Sequence, residues 1–457
     1  MNAARLRSFC LFLSDVLCVA AVWTLVVNGY YASGRALYVV SDYVHAWPVL
    51  VAFALINCCV GLYHGRVFSP GMPLPEVEEF RRLVLSVFAS HLLFMALLVL
   101  GHFDFQEYVS RFVVVVSALL GAALVQPCRY LTRHLLAKAG LGQIPAFLVG
   151  EGPVAKQVEA TFASSSYYGF RIVRTFGREE FREIAAAGRA LGVQHVFACY
   201  PDNRCFRAQF KELYDAFTFV EYLPTADAFP AGGAHVIQVG GLGGLEMANQ
   251  RSLRVLLLEK SILDRTLAAL IFLFALPFFV VMPVLIKLTS PGPVFYKAKR
   301  LGKKGRTIHV LKFRSMYADA DARLKALLDS DPALAAEFAA DFKLKRDPRV
   351  TPLGRFMRKT SIDELPQLLN VFTHDMALIG PRPIVEAEVE RYGRFYEIFS
   401  SVKPGITGLW QASGRSNTDY AARVALDVHY VLNWSPWMDL WIVFKTALSV
   451  LTMRGSY

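Results

Sequence analysis

Two adjacent carboxylates, Asp363 and Glu364, closely follow a basic stretch that contains Arg355, Arg358 and Lys359. Phosphoryl transfer requires cations for the phosphate oxygens, a carboxylate that can hold a metal ion, and a nucleophile. This part of the chain offers all three kinds of group. We therefore interpret Asp363 and Glu364 as the catalytic pair of a phosphoryl-transfer site.

Two further motifs supply cations elsewhere in the sequence. Lys312 and Arg314 stand in Lys-Phe-Arg-Ser-Met, and Arg382 follows Pro381 in Gly-Pro-Arg-Pro. Charged hydrogen bonds to phosphate oxygens are among the stronger ones available to a protein. These motifs strengthen the interpretation of the acidic pair as part of a phosphate site.

The proline after the pair bears on its local structure. Pro366 lacks a backbone donor, so it is tolerated in the first turn of a helix. If Asp363 is the N-cap, Pro366 takes the third helical position, and Asp363 lies at the positive end of a helix dipole that also favours phosphate. Alternatively, Ser361 and Glu364 form a capping box, and Asp363 is an ordinary first-turn acid.

The composition indicates a membrane protein. The chain is 54% hydrophobic over 457 residues, with a mean hydropathy of +0.37, which is more apolar than a soluble protein of this length. Its net charge of +12 indicates anionic partners such as phosphates or lipid headgroups. Nucleic acid is not expected as a partner, because the charge lies at the membrane border and matches no nucleic-acid-binding module. The seven cysteines form no C-x-x-C pair, and we interpret them as small buried hydrophobes.

Four apolar runs are long enough to span a membrane, and they lie near residues 8–27, 46–63, 83–101 and 110–127. Basic residues at their flanks place both ends of this bundle in the cytoplasm by the positive-inside rule. Asp15 and His91 fall inside spans. Such ionisable groups are either functional or make polar contacts between helices.

Alternating strand and helix patterns after residue 140 predict a Rossmann-like α/β domain. The strand candidates are 144–149, 170–176, 193–200, 217–223 and 235–239. The turn Gly150-x-Gly152-x-x-Ala155 fits a dinucleotide-binding fingerprint, but the strand 170–176 carries Arg174-Thr175 near its end, with no acid placed to hold a ribose. We favour a structural or regulatory module and keep a dinucleotide site as the alternative.

A fifth apolar segment, 266–286, has basic residues on both sides. A further crossing would place the basic C-terminal region outside, against its charge. Pro277 lies in the middle of the segment, where proline kinks a helix. We predict a re-entrant helix that bends there and returns to the cytoplasmic face, with an ordinary kinked span as the alternative. Basic residues without acids continue from Lys287 to Ser315, a pattern that attracts lipid headgroups, and part of the run could hold a diphosphate.

Four ordered motifs resemble those of the bacterial polyprenyl-phosphate hexose-1-phosphate transferases. They are Lys312-Phe-Arg314-Ser-Met, Asp363-Glu364-Leu-Pro-Gln-Leu, Gly380-Pro-Arg382-Pro and Lys403-Pro-Gly-Ile-Thr-Gly. The resemblance covers about residues 255–457, and the N-terminal half is more similar to galactose than to glucose enzymes among the long members. The chain departs from the family at Leu276-Pro277, where members often carry Ser-Pro.

The resemblance implies a two-step reaction. Asp363 would attack the β-phosphorus of a UDP-hexose and release UMP, and undecaprenyl phosphate would then take the phosphohexose from the carboxylate. Glu364 would ligate Mg²⁺, a hard cation that prefers oxygen ligands. The substrate-binding residues implied in this way are Lys312, Arg314, Arg358, Pro381 and Arg382.

The predicted fold is therefore membrane α-helical plus α/β. A four-helix transmembrane bundle occupies residues 1–139, the Rossmann-like domain 140–250, and the catalytic domain 251–457 with a re-entrant membrane helix at 266–288. We expect a multi-pass protein of the bacterial inner membrane, with a cytoplasmic catalytic domain that contacts membrane lipids, and a homo-oligomer, namely a dimer. The product would initiate O-antigen, capsule or exopolysaccharide assembly.

Three other functions stay open from the sequence. One is glucose-1-phosphate transfer by the same chemistry, and a second is a membrane-tethered NAD-dependent sugar-nucleotide enzyme. The third is a transporter or lipid flippase, against which the absence of internal repeats in the four spans argues.

Overall fold

Four apolar helices open the chain in the computed structural model: α1 (Ala3–Ala32), α2 (Trp47–Cys59), α3 (Glu76–Leu100) and α4 (Arg111–Lys138). Their facing side chains form one apolar core that includes the fully buried Val19, Val49, Leu83 and Val113. The residues described by the structure are 3–34, 46–63, 73–100, 110–177, 180–200, 209, 212–223, 234–239, 242–247, 254–317, 319–320, 322, 324, 329–330, 347–413 and 420–451. They divide into two units, Met1–Phe229 and Pro230–Tyr457.

The second predicted span is shorter than expected. Helix α2 has 13 residues, or about 20 Å at 1.5 Å per residue, whereas the hydrocarbon core of a bilayer is about 30 Å thick. In the described part of the chain, the helices long and apolar enough to cross a membrane are Arg5–Ala32, Glu76–Leu98, Arg111–Lys138 and Leu258–Thr289. The fourth candidate is thus the C-terminal apolar helix rather than α2.

Asp15 in α1 makes a polar contact between helices. Its carboxylate accepts hydrogen bonds from Arg129 of α4 at 2.6 Å and from the Tyr63 hydroxyl at 2.6 Å. The same arginine donates to Glu79 of α3 at 2.6 Å, and Arg133 donates to Glu79 at 2.9 Å. Buried charges are tolerated only when paired and hydrogen-bonded, so this network fixes the relative positions of α1, α3 and α4.

His91 also connects two helices. Trp23 Nε1 of α1 donates to His91 Nε2 at 3.1 Å, and His91 Nδ1 lies 2.7 Å from the carbonyl of Val87. Because Nε2 accepts a hydrogen bond, the proton of a neutral ring is on Nδ1 and points to that carbonyl. Both ionisable residues in the predicted spans, Asp15 and His91, therefore make polar contacts between helices, which was one of the two interpretations of the sequence.

A four-stranded parallel sheet follows the helices in the order β2-β1-β3-β4. Its strands are β1 (Ile144–Val149), β2 (Phe170–Phe176), β3 (His195–Ala198) and β4 (Phe219–Tyr222), with helices α5 (Pro153–Ser164) and α6 (Phe181–Leu191). The predicted strand 235–239 is not part of this sheet. It belongs to an antiparallel hairpin of β5 (Ala234–Val239) and β6 (Leu242–Met247) in the second unit.

The glycine turn after β1 has a packing explanation. Gly150 has a φ of +114°, and a Cβ there would lie 2.1 Å from the carbonyl oxygen of Cys199. Only glycine fits so close an approach at a positive φ. This glycine is therefore required by the contact between the ends of β1 and β3, whether or not the turn binds a ligand.

The cysteines differ in part from the sequence prediction. Cys18 and Cys199 are buried, but Cys58 and Cys59 at the end of α2 are exposed. Cys205 lies outside the described residues. Exposed cysteines at the end of an apolar helix are accessible thiols rather than small buried hydrophobes.

After the β5–β6 hairpin, the second unit continues with one long helix, α7 (Arg254–Thr289), which has 36 residues and contains both Pro277 and Pro283. It begins 12 residues before the predicted segment and stays helical through Pro277. Its buried side chains form a narrow stripe at seven- and four-residue spacings: Ala268, Ala275, Met282 and Ile286. Large apolar side chains such as Phe274 and Val280 are 81% and 71% exposed. A helix with such a surface is suited to contact with lipid.

The rest of this unit consists of shorter elements, some of which pack against the buried stripe of α7. An antiparallel pair, β7 (Phe295–Leu301) and β8 (Thr307–Phe313), and a parallel pair, β9 (Ala377–Ile379) and β10 (Gly405–Thr407), provide its strands. The helices are α8 (Pro352–Thr360), α9 (Gln367–Phe372), α10 (Val389–Tyr392), α11 (Tyr396–Ser400), α12 (Leu409–Ala412), α13 (Tyr420–Asn433) and α14 (Pro436–Leu451). Met282 and Ile286 of α7 share a core with Phe313 and Met357.

A partly buried ion pair joins α7 to the C-terminal helices. Lys260 Nζ donates to Asp439 Oδ2 and to the carbonyl of Ile379, both at 2.8 Å, and to Asp264 Oδ1 at 2.7 Å. Tyr430 donates to the other oxygen of Asp439 at 2.8 Å and also contacts the Ile379 carbonyl at 3.0 Å. All three protons of the ammonium group therefore have acceptors within the protein.

Candidate active site

The acidic pair lies in a tight turn between two helices. Helix α8 starts at Thr351, whose Oγ1 accepts a hydrogen bond from Gly354 N at 2.9 Å, and ends at Ser361, which has a left-handed φ of 58°. A 3₁₀ turn, Ile362–Glu364, follows. Helix α9 begins only after Pro366, which is its N-cap.

This geometry corrects two predictions about the turn. Asp363 is not a helix N-cap, because the left-handed Ser361 ends α8 and the six-residue α9 starts after Pro366. Ser361 makes no side-chain cap bond, and its carbonyl accepts the Glu364 N–H at 3.2 Å as part of the 3₁₀ turn. Asp363 is therefore positioned by the backbone of this 3₁₀ turn, and it does not lie at the positive end of a helix dipole.

Asp363 is a buried carboxyl with a raised pKa. Its side chain is only 8% exposed. Burial, followed by the adjacent charge of Glu364, raises the pKa of Asp363 to about 6, whereas Lys312 and Arg358 act in the opposite direction. A carboxylate with poor hydration and nearby cations is mostly ionised at neutral pH and is a stronger nucleophile than a fully solvated one.

Glu364 is paired with Lys312 of β8. Lys312 Nζ donates to Glu364 Oε1 at 2.6 Å, and both side chains are partly exposed. The sequence predicted both residues for the site, and the structure brings them into direct contact. Lys312 is therefore positioned by the carboxylate that we expected to bind a metal ion.

A small pocket, open to solvent, lies over this pair. It is lined by Ala298, Arg300, Val310, Lys312, Glu364, Gln367, Arg382, Pro383, Ile406 and Gln411. The pocket brings together the predicted residues Lys312, Glu364 and Arg382, and Asp363 is next to Glu364 in the chain.

The pairing of β7 with β8 explains two sides of the pocket. Ala298 pairs with Val310, and Tyr296 pairs with Lys312. Alternate residues of a strand share a face, so Ala298 and Arg300 stand on the same side of the pair as Val310 and Lys312. In the sequence, Arg300 was only one member of a basic run. The alternation of faces along the paired strands is the signal that separates Arg300, on the pocket side, from its basic neighbours on the other side.

Two glutamines of the pocket were also missed. Gln367 is the first residue of α9, and Gln411 lies in α12. Gln411 Nε2 donates to the Ile406 carbonyl at 3.2 Å, and its buried Oε1 has no hydrogen-bond partner among the described residues. Such an oxygen can accept a hydrogen bond from a substrate hydroxyl.

Three predicted binding residues have other contacts. Arg314 is buried, and its guanidinium donates to the carbonyls of Pro291, at 2.9 Å, and Ser290, just after α7. Arg358 Nε donates to Ser315 Oγ at 3.0 Å. Pro381 is buried, its carbonyl accepts the Gly405 N–H at 2.8 Å, and Pro383 rather than Pro381 lines the pocket. Arg314 and Pro381 thus have contacts that suit positioning roles.

The acidic pair fits a magnesium ion that arrives with a phosphate ligand. No group of three or more His, Cys, Asp or Glu residues that could hold a metal occurs in the described ranges. Mg²⁺, however, is usually bound through one or two carboxylates together with substrate phosphates and water. Glu364 and Asp363 supply those carboxylates, and Lys312 would share Glu364 with the ion.

Comparisons with known proteins address the chemistry of this site. The sequence profile described as bacterial sugar transferase matches residues 255–453. The undecaprenyl-phosphate galactose phosphotransferase of Salmonella typhimurium is 33% identical over 432 residues, which cover 90% of this chain and 88% of that protein. The UDP-glucose:undecaprenyl-phosphate glucose-1-phosphate transferase of Escherichia coli is 28% identical, with 74% of each chain covered. The exopolysaccharide production protein ExoY of Sinorhizobium fredii is 45% identical over 200 residues, 44% of this chain and 88% of that protein.

Proposed function

Because this chain belongs to the bacterial sugar transferase family, we propose that it transfers hexose-1-phosphate from a UDP-hexose to undecaprenyl phosphate and releases UMP. The observation that carries the proposal is the position of Asp363. It is a buried carboxyl with a raised pKa, and it adjoins a pocket that contains Lys312, Arg300 and Arg382. A nucleophile beside several phosphate-binding cations is what this transfer requires.

The reaction has two displacements at one phosphorus atom. A carboxylate oxygen of Asp363 forms a bond to the β-phosphorus, and the bond from that phosphorus to the bridging oxygen breaks, so UMP leaves with the electron pair. A phosphate oxygen of undecaprenyl phosphate then attacks the same phosphorus and displaces the Asp363 carboxylate. Total charge is conserved without a net proton transfer, and the product is undecaprenyl-diphospho-hexose.

Mg²⁺ is the proposed metal, and Glu364 is the residue that would hold it. When bound, the ion would neutralise charge on the diphosphate oxygens. Lys312 contacts Glu364 at 2.6 Å and would keep that carboxylate oriented toward the pocket. Arg382, and Arg358 near Asp363, would hold phosphate oxygens.

Galactose is the hexose that the similarities favour. The Salmonella relative and the UDP-galactose-lipid carrier transferase of Erwinia amylovora are each 33% identical to this chain, and the glucose enzyme of E. coli is 28% identical. Glucose-1-phosphate transfer is the second candidate, supported by that relative. In either case the product would be the first lipid-linked sugar of an O-antigen, capsule or exopolysaccharide.

The proposed location is the bacterial inner membrane, with the catalytic unit on the cytoplasmic side where UDP-sugars occur. Four described helices have the length and composition of membrane spans. For α7 we propose a re-entrant path, supported by basic residues on both flanks and by Pro277 within it. We also propose a dimer, which a mass measurement in detergent would test.

The parallel sheet of β1–β4 is proposed to be a Rossmann-like domain with a structural or regulatory role. A relative about half as long as this chain, ExoY, supports a separate role for the N-terminal half. A NAD-dependent function would predict bound dinucleotide absorbance in the purified protein.

The decisive experiment uses the full chain purified in detergent with undecaprenyl phosphate, Mg²⁺ and a panel of UDP-sugars. We expect UMP release and a lipid-linked product with one UDP-hexose, UDP-galactose by preference, and none with Asp363→Asn. Product formation by the Asp363→Asn protein, or no UMP release with any UDP-sugar, would refute the proposal.

A further inference from the structure

Two arginines line the pocket from different parts of the chain. Arg300 comes from β7, and Arg382 follows β9. The Nη1 of Arg300 donates only to a backbone oxygen, the Lys299 carbonyl at 2.7 Å, and the guanidinium of Arg382 lies 5.8 Å from the centre of the Trp410 ring. Within the described ranges, neither arginine forms an ion pair with a carboxylate.

The two guanidinium groups repel each other. Burial and then the charge of Arg382 lower the pKa of Arg300, and Tyr296 and Glu388 only partly offset this effect. Like charges at close range in a partly buried site destabilise the folded protein unless an anion compensates them. Lys312, in the same pocket, has such compensation from Glu364 at 2.6 Å. The pocket therefore has one neutralised region and one region with excess positive charge.

The excess charge matches a particular kind of ligand. A phosphate monoester carries between one and two negative charges near pH 7, and its terminal oxygens accept hydrogen bonds from more than one arginine. Each phosphate inside the diphosphate of a nucleotide sugar carries about one charge only. Two unpaired guanidinium groups are therefore better matched to a monoester than to the diphosphate.

We propose that Arg300, together with Arg382, forms a subsite for a phosphate monoester in this pocket. The inference rests on the proposed function, in which two reactants are monoesters: the acceptor polyprenyl phosphate and the released UMP. Arg300 is a binding residue in this view, distinct from the Lys312–Glu364 pair that faces the reacting diphosphate.

The two-step mechanism offers a way to separate these ligands. In ping-pong kinetics, kcat/KM for the donor depends only on the first displacement, and kcat/KM for the acceptor depends only on the second. We would measure both for wild-type protein, Arg300→Gln and Arg300→Lys, with UDP-galactose and a short-chain polyprenyl phosphate in detergent. Inhibition by added UMP would be measured in parallel.

We expect Arg300→Gln to lower kcat/KM for the acceptor about tenfold or more, the size of effect that follows loss of a charge-assisted hydrogen bond. The donor value would change much less, and Arg300→Lys would recover part of the loss. If the donor value falls and UMP inhibition weakens while the acceptor value is kept, the same subsite belongs to the nucleotide phosphate.

Lys299→Gln is the matched control. Lys299 is the exposed neighbour on the other face of β7, so its removal changes the net charge equally without changing the pocket. The subsite would be overturned if Arg300→Gln left kcat/KM for the acceptor, kcat/KM for the donor and inhibition by UMP all unchanged. It would also be overturned if Lys299→Gln lowered these constants as much as Arg300→Gln does. If wild-type protein releases no UMP at all, the proposed function fails instead. Thermal unfolding of each variant would show whether a uniform loss reflects misfolding, and a folded variant with equal losses in both half-reactions would also overturn the proposal.

Discussion

The Nζ atom of Lys312 lies 2.6 Å from Oε1 of Glu364, so the carboxylate proposed to hold Mg²⁺ already has a cationic partner. A lysine and a divalent ion compete for the same oxygen. The pair keeps Glu364 oriented before substrate arrives, and the ion must share or displace the lysine.

The first prediction concerns this competition. Lys312→Met should lower the Mg²⁺ concentration needed for half-maximal UMP release, because the lysine then no longer competes with the ion for Glu364, and it should lower kcat because one phosphate-binding cation is lost. Glu364→Gln should raise the Mg²⁺ requirement by about tenfold or more. A Mg²⁺ titration of both variants measures these effects, and an unchanged requirement in Glu364→Gln would contradict its assignment as the metal ligand.

The second prediction concerns pH. Burial raises the pKa of Asp363 to about 6, so UMP release should fall as pH drops through 6, because the protonated carboxyl is a poor nucleophile. A pH profile of the first half-reaction checks this. A profile that stays flat down to pH 5 would be inconsistent with Asp363 as the nucleophile.

A third prediction follows from the same pKa but concerns stability. Between the unfolded pKa near 4 and the folded pKa of about 6, the folded state holds more protons, so stability falls as pH rises through this window. Asp363→Asn avoids that cost and should be more stable than wild type by roughly 1–3 kcal/mol above pH 6. The difference should vanish near pH 4. Thermal unfolding at several pH values measures this difference in stability. If Asp363→Asn is less stable than wild type at pH 8, burial of the ionised carboxylate does not destabilise the folded protein.

The fourth prediction concerns Lys260 and Asp439, whose contact is partly buried and involves a fully buried carboxylate. Lys260→Met should destabilise the protein by about 3–5 kcal/mol, because it leaves an uncompensated charge on Asp439, which has no exposed surface. The double variant Lys260→Met with Asp439→Asn should recover part of that loss. Thermal unfolding of the two single variants and the double variant gives the coupling energy, and additive losses would mean that the pair is not coupled.

The fifth prediction tests the re-entrant path of α7. In an active, cysteine-free background, cysteines at the exposed positions Glu259 and Lys303 should both react with a membrane-impermeant reagent only from the cytoplasmic side. Pro277→Leu should reduce activity, whereas Pro283→Leu in the same helix serves as the control. Labelling of the Lys303 position from the periplasm would refute the re-entrant path.

Some of the fold could be predicted from local patterns. Strands β1 and β2 match the predicted bounds, because glycines mark their ends: Gly150 follows β1, and Gly169 and Gly177 flank β2. The strand at 234–239 was predicted as a strand, but its antiparallel pairing with 242–247 was not, because a parallel and an antiparallel strand of that length have similar composition.

The site was predictable as a set of motifs but not as a geometry. Lys312, Glu364 and Arg382 meet in one pocket as expected. Arg300 was not singled out, because the sequence of a basic run does not show which of its side chains faces the pocket. That becomes clear only from the pairing register of β7 with β8. Nor could the sequence predict that Lys260 binds Asp439, because 179 residues separate them.

The carbonyl of Ile379 has a further consequence. It accepts hydrogen bonds from Lys260 on α7 and from Tyr430, and it stands three residues before Arg382. If α7 lies in the bilayer, the depth of α7 in the membrane sets the distance of Arg382 from the hydrocarbon, because the Lys260–Ile379 hydrogen bond connects the two. Turnover in vesicles should then depend on acyl-chain length, with an optimum thickness at which the arginine meets the acceptor phosphate. Lys260→Met would broaden that optimum, since the arginine would no longer follow the helix when the bilayer thins or thickens.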